Sequence, residues 1–218
     1  MRRALLLSLA LPFMLGARAA AQSCTGMPSF SSGQMQATAG GSFADGASSF
    51  GGTFGYGMPK GVYGKAGLGT TSYDAFDGSS LDFSVGGGYQ IPLQTSRTAE
   101  LCPVASLSFA SGPNDVIGSG VDMSSRTFAL GAAVGALLGH NPQLQFVPNA
   151  SFQFANTRVS MDDGTDSVSG SESYGLLTLG TGFVFNSRYS LSPSISIPMG
   201  LEGSDASFAL AGAIHFGR

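Results

Sequence analysis

The sequence predicts an all-β fold: an antiparallel up-and-down transmembrane β-barrel of about ten strands. Three observations carry this. Apolar residues recur at every second position in segment after segment, which is the period of a strand. Charged residues are only 11% of the chain while hydrophobic residues are 43%, against a usual charged share of ~25%. Short turns and longer polar connections alternate along the sequence.

The alternation is clearest in the C-terminal third. Leu191, Pro193, Ile195, Ile197 and Met199 interleave with Ser190, Ser192, Ser194 and Ser196. Phe208, Leu210, Gly212, Ile214 and Phe216 interleave with Ala209, Ala211, Ala213 and His215. Leu177, Leu179, Thr181, Phe183 and Phe185 alternate with Thr178, Gly180 and Gly182. The same period runs through Leu81 to Tyr89, Leu101 to Phe109, Phe128 to Val134 and Leu144 to Phe154. Three weaker segments, around 34–44, 48–57 and 60–71, are blurred by glycine, which numbers 33 of 218 residues.

A soluble protein surrounds its apolar residues with Lys and Glu. Here the faces opposite the apolar ones are Ser, Gly, Ala and Thr. Two charge-free faces suit lipid outside and a narrow lumen inside. The competing reading is a secreted β-sandwich, which shares the alternation but needs a charged outer face.

The N-terminus has the layout of a secretory signal peptide. Arg2 and Arg3 precede an apolar run from Ala4 to Leu15, and Ala19-Ala20-Ala21 precedes a cut before Gln22. The run is too short for a helix across a bilayer, which needs ~20 residues. A lipoprotein is the lesser option, because Cys24 lies near the cut but Ala21-Gln22-Ser23 fits a lipid-attachment box poorly. The chain therefore divides into a cleaved signal (1–21), a periplasmic N-terminal segment (22–33) and the barrel (34–218). Loss of Arg2, Arg3 and Arg18 leaves a formal charge of about −6. That excludes nucleic acid as a partner, since it needs a clustered basic face.

Turns at Met58-Pro59-Lys60, Pro92 to Thr98, His140-Asn141-Pro142 and Asn186-Ser187-Arg188 are short. Between them lie polar connections near 45–48, 71–80, 111–124, 158–173 and 200–206. Barrels of the bacterial outer membrane have short periplasmic turns and longer external loops. The external set holds every acid of the 13 except Asp82 and Glu100. Lys60, Arg97, Arg188 and Arg218 lie at the turn end.

Predicted lipid-facing residues are Phe83, Tyr89, Phe109, Phe128, Phe183, Phe185, Ile195, Ile197, Phe208, Ile214 and Phe216. Predicted lumen residues are Ser190, Ser192, Ser194, Ser196, Ala209, Ala211 and Ala213, with Lys65 and Arg126 as inward cations. Cys24 and Cys102, the two cysteines, are expected to bridge in an oxidising compartment. That bridge would tether residues 22–33 at or inside the periplasmic mouth. Asp162, Asp163 and Asp166 are the weak metal candidates, because calcium takes several oxygens from flexible loops. They lack the register of an EF-hand, so a solvated acidic loop is the plainer reading. His140 and His215 have no acid or nucleophile at a recognisable spacing, so no catalytic set, enzyme activity or cofactor is expected.

With these features the chain resembles the small bacterial outer-membrane β-barrel proteins of the opacity, adhesin and porin-like class. The resemblance covers residues 34–218 and ends on Phe216, which Gly217 and Arg218 follow. It implies residence in the outer membrane of a Gram-negative bacterium and insertion by the barrel-assembly machinery. It also implies contact with outer-membrane lipid and with an extracellular partner through the loops. The expected role is structural or surface-interacting, the alternative a narrow passive channel for small solutes. Self-association is compatible with the apolar, glycine-bearing outer face.

Overall fold

A computed structural model describes residues 24, 26, 30, 32–74, 78–93, 99–112, 122–138, 143–162, 164, 166–201 and 205–217. The predicted signal peptide, His140 and Asp163 lie outside them.

The strands are β1 (Met35–Ala44), β2 (Ala47–Gly57), β3 (Val62–Tyr73), β4 (Ser79–Tyr89), β5 (Ile91–Pro92), β6 (Ala99–Ser111), β7 (Asp122–Ala136), β8 (Leu144–Asp162), β9 (Ser167–Phe185), β10 (Tyr189–Met199) and β11 (Ser207–Phe216). Each pairs antiparallel with its sequence neighbour, and β1 pairs with β11. β4 and β5 form one stave across Gln90, because both pair with β6 in a single register. The result is a closed ring of ten staves. Closure leaves no sheet edge in the body of the barrel, which lipid requires because it offers backbone groups no hydrogen bonds.

The staves are steeply staggered. Following paired residues from Met35 leads through Tyr56, Gly64, Gly87, Ala105, Leu130, Phe154 and Gly175 to Met199. This path starts at the turn end of β1 and finishes at the loop end of β10. Barrels of this size tilt their strands by about 35–45°. At ~3.3 Å per residue, an 11-residue stave such as β10 then rises about 25 Å along the barrel axis.

Turn chemistry fits the pairing. Asn186 and Ser187 both have positive φ, 51° and 53°, and Arg188 N–H donates to the Phe185 carbonyl at 3.0 Å. Two consecutive positive φ values reverse the chain tightly within the three residues between the paired Phe185 and Tyr189.

One predicted connection is different in the structure. Residues 158–162 and 167–173, read as loop from their polarity, are the outer ends of β8 and β9. The two strands stay paired to Asp162↔Ser167, and β7 supports β8 up to Asp122↔Asp162. On its other side β9 pairs with β10 only as far as Gly175↔Met199. This hairpin therefore rises above the rest of the rim. On β9 residues 167–171 are exposed on both faces, so the apolar alternation that marks the other strands is absent there, while β8 keeps Val159 turned inward and buried.

Candidate functional site

The interior of the ring is the region with the densest chemistry. Small and polar side chains point inward along every stave, because the outward positions in the middle of the barrel carry apolar residues or glycine, with Thr181 on β9 as an exception. The inward set includes Ser190, Ser192 and Ser196, together with Ala209 and Ala213, all buried. Ser194 and Ala211 are half-buried on the same face. Phe83, Tyr89, Phe109, Phe128, Phe185, Ile195, Ile197, Phe208 and Ile214 are exposed on the opposite face. Phe183 and Phe216 share that face and are half-buried by Phe146 and Phe54.

The turn end of the lumen is filled by the chain's own N-terminal segment. Cys24 and Cys102 form a disulfide with Cα atoms 6.1 Å apart, and both are fully buried against Ala133. Ser192 Oγ donates to the Gly26 carbonyl at 3.2 Å. Phe30 stacks on Tyr63, ring centroids 6.0 Å apart and planes within 8°. The Gln90 amide, oriented to suit, donates to the Phe30 carbonyl and accepts from the Phe30 N–H, both at 2.9 Å. It thus pairs with the segment as a neighbouring strand would. His215 closes the same end, its Nε2 3.2 Å from Ser190 Oγ.

The loop end is filled by side chains from the walls. Ala47, Tyr73, Ala110, Met123 and Val159 form one packed cluster. Ala129, Ala155, Tyr174 and Leu201 form another, with Leu201 reaching in from beyond β10. Beneath them runs a hydrogen-bonded chain. Thr71 donates to Asp82 Oδ2 at 2.7 Å, which leaves the Thr71 oxygen to accept from Ser49 at 2.9 Å. Ser80 donates to Asp82 Oδ1 at 3.3 Å and lies 3.2 Å from the Tyr73 hydroxyl. Asp82 is the hub of four side chains drawn from β2, β3 and β4. Replacing it with alanine removes the acceptor for two buried hydroxyls, which costs about 1–3 kcal/mol. Asp82→Ala is expected to lower the unfolding midpoint in micelles, and Asp82→Asn, which keeps an acceptor oxygen, to lower it less.

Between the two closures lies a cavity of about 140 Å³. Lys65, Asp82, Asn149, Gln153 and the hydroxyls of Thr38, Ser84, Ser106 and Ser194 line it. Thr38 Oγ1 is buried there without a protein partner. A cavity of this size with several polar groups on its wall has room for water to complete their hydrogen bonds.

Two predicted inward cations separate. Lys65 borders the cavity. Arg126 does not: it is exposed on the outer face, on the same side of β7 as Phe128 and Leu130. Side chains two residues apart share a face, and β7 runs past the apolar zone, so an outward arginine there leaves the lipid-facing region. Asp162 is engaged locally, its Oδ1 accepting the Gly164 N–H at 2.8 Å in the β8–β9 turn. A carboxylate capping its own turn stiffens the hairpin tip. Asp166 is exposed beside it. Cys24, Glu100 and Cys102 come together, but the disulfide removes both thiolates as ligands.

Sequence reasoning missed the Asp82 network. Its signal was present in the isolated acid of an otherwise uncharged strand, Ser79 to Tyr89.

Several solved structures are similar to this chain. They are bacterial outer-membrane β-barrels. The N-terminal β-barrel domain of Pseudomonas aeruginosa OprF is 12% identical with a TM-score of 0.41, covering 85% of this chain and 98% of that one. Ail, the attachment invasion locus protein of Yersinia pestis, is 10% identical with a TM-score of 0.43, covering 85% and 100%. The translocator domain of the autotransporter NalP from Neisseria meningitidis is 11% identical with a TM-score of 0.47, covering 85% and 87%. No family model matches the sequence, and no curated protein matches it. The strand pairing itself establishes the barrel.

Proposed function

We propose that this chain is an integral outer-membrane barrel without enzymatic activity, closed to solutes in its disulfide-bonded form, with a structural and surface-contact role. The observation that carries the reading is closure of the lumen at both ends. Buried side-chain clusters fill the loop end, and a disulfide-held segment fills the turn end. A passive channel needs a continuous polar path, and apolar residues buried at both ends of the lumen interrupt one. The apolar outer face, about 25 Å tall, supports the membrane assignment. The raised β8–β9 hairpin is the element best placed to meet an extracellular partner. Insertion by the barrel-assembly machinery and contact with outer-membrane lipid belong to the same reading.

The test is single-channel conductance of refolded, oxidised protein in a planar bilayer, with insertion verified by protease protection. Silence from inserted protein is expected. Steady discrete steps from the oxidised form would overturn the closed-barrel reading and make the chain a narrow channel.

A further inference from the structure

Among the described strands, basic side chains face outward at only two positions, Arg126 on β7 and Arg158 on β8. They are directly opposed across the β7–β8 ladder. Like charges at such a position repel and destabilise a sheet. Neither forms an ion pair among the described residues; Arg158 Nη2 donates to Ser169 Oγ at 3.1 Å. Both arginines are exposed, so neither is held there by packing.

Their height is informative. The next outward residues toward the barrel middle are Phe128 and Leu130 on β7, then Phe152 and Phe154 below Asn156 on β8. On β6, Phe109 pairs with Arg126. The arginines therefore stand on the first rungs beyond the apolar zone. Ser124, Ser160 and Asn156 flank them on the same face, and Ser171 pairs with Arg158. In a membrane-embedded barrel this is the headgroup layer.

We propose that Arg126 and Arg158 form a binding site for the anionic phosphate of a lipid headgroup in the surrounding leaflet. A phosphate between two guanidinium groups converts their repulsion into paired, bidentate hydrogen bonding, for which the planar fork of arginine is shaped. The hydroxyls around the pair supply donors for the remaining headgroup oxygens. The lipid's acyl chains would lie on the Phe128, Leu130, Phe152 and Phe154 side chains below. This inference rests on the membrane reading of the barrel.

The experiment is native mass spectrometry of the folded, oxidised protein in octyl glucoside micelles doped with phosphatidylglycerol or phosphatidylcholine. A retained phosphatidylglycerol adduct, with phosphatidylcholine lost, is expected. Arg126→Gln and Arg158→Gln should each weaken retention about fivefold, and the double variant should abolish it. Lys60→Gln, at the opposite rim, should leave it unchanged. In octyl glucoside alone the double variant should unfold no more readily than the parent, since repulsion is relieved. With phosphatidylglycerol it should unfold more readily. Equal retention of both lipids, retention unaffected by the double variant, or displacement by equimolar inorganic phosphate would overturn the proposal. Failure to insert into phosphatidylcholine vesicles, read by protease protection, would instead overturn the membrane reading.

Discussion

Cys102→Ser is expected to lower the unfolding free energy of the folded barrel by about 3–4 kcal/mol and to free the N-terminal segment from the lumen. The disulfide links residues 78 positions apart, and the constraint it places on the unfolded chain grows with the loop it closes. The loss reaches further than the crosslink. Cys24, Gly26 and Phe30 lie within the ring, and without the bond the Ser192 and Gln90 contacts and the Phe30–Tyr63 stack are too few to hold them there. Reduction should act in the same direction. Urea unfolding in micelles, followed by gel mobility with and without reductant, measures the stability term. Limited proteolysis ahead of β1 reports release of the segment. Equal stability of oxidised, reduced and Cys102→Ser protein would contradict the tether. Conductance that appears only after reduction would make the segment a redox-sensitive plug.

The second large effect is expected at Gly182→Ala. A Cβ at this inward position of β9 would fall on the carbonyl oxygen of Gly26, and backbone cannot swing aside as a flexible side chain does. Either the segment lifts away from β9 or the stave bends. The substitution should cost about 1–3 kcal/mol. It should also break the Ser192–Gly26 hydrogen bond while the disulfide stays intact. Amide exchange at Cys24, Gly26 and Phe30 separates this local displacement from global loosening: fast exchange there, with slow exchange preserved in β1 and β11, is the expected pattern. Gly212→Ala is the control. Its Cβ would meet only the Ser190 carbonyl oxygen at 3.9 Å, so the variant should behave as the parent. Unchanged exchange at Cys24, Gly26 and Phe30 in Gly182→Ala would show that the segment does not pack where the structure has it.

Much of the architecture was legible from local pattern. Alternation marked the strands from Leu81 onward because one face must be apolar and the other small. The two cysteines and an oxidising destination pointed to the bond between Cys24 and Cys102. The strands at 34–44, 48–57 and 60–71 were less legible, since glycine carries no face and blurs the alternation. The outer ends of β8 and β9 were not legible. Ser167 to Ser173 pair as strand above the apolar zone, where both faces meet water and no alternation is required. Arg126 was misplaced because a lone arginine in an uncharged strand was assigned to the lumen; its parity with Phe128 puts it outside.

By itself the sequence determined that this chain alternates and turns as the staves of a β-barrel with an apolar exterior, because a period of two is a local property of each strand. Only the tertiary structure decided what fills the ring. Assembly of the ring around the N-terminal residues brings Ser192 to Gly26 and Gln90 to Phe30, and the pairing of β3 with β4 brings Asp82 to Thr71, on which Ser49 of β2 bonds. Pairings between residues far apart in the chain, such as Ser192 with Gly26, depend on stagger and closure, which no local pattern encodes.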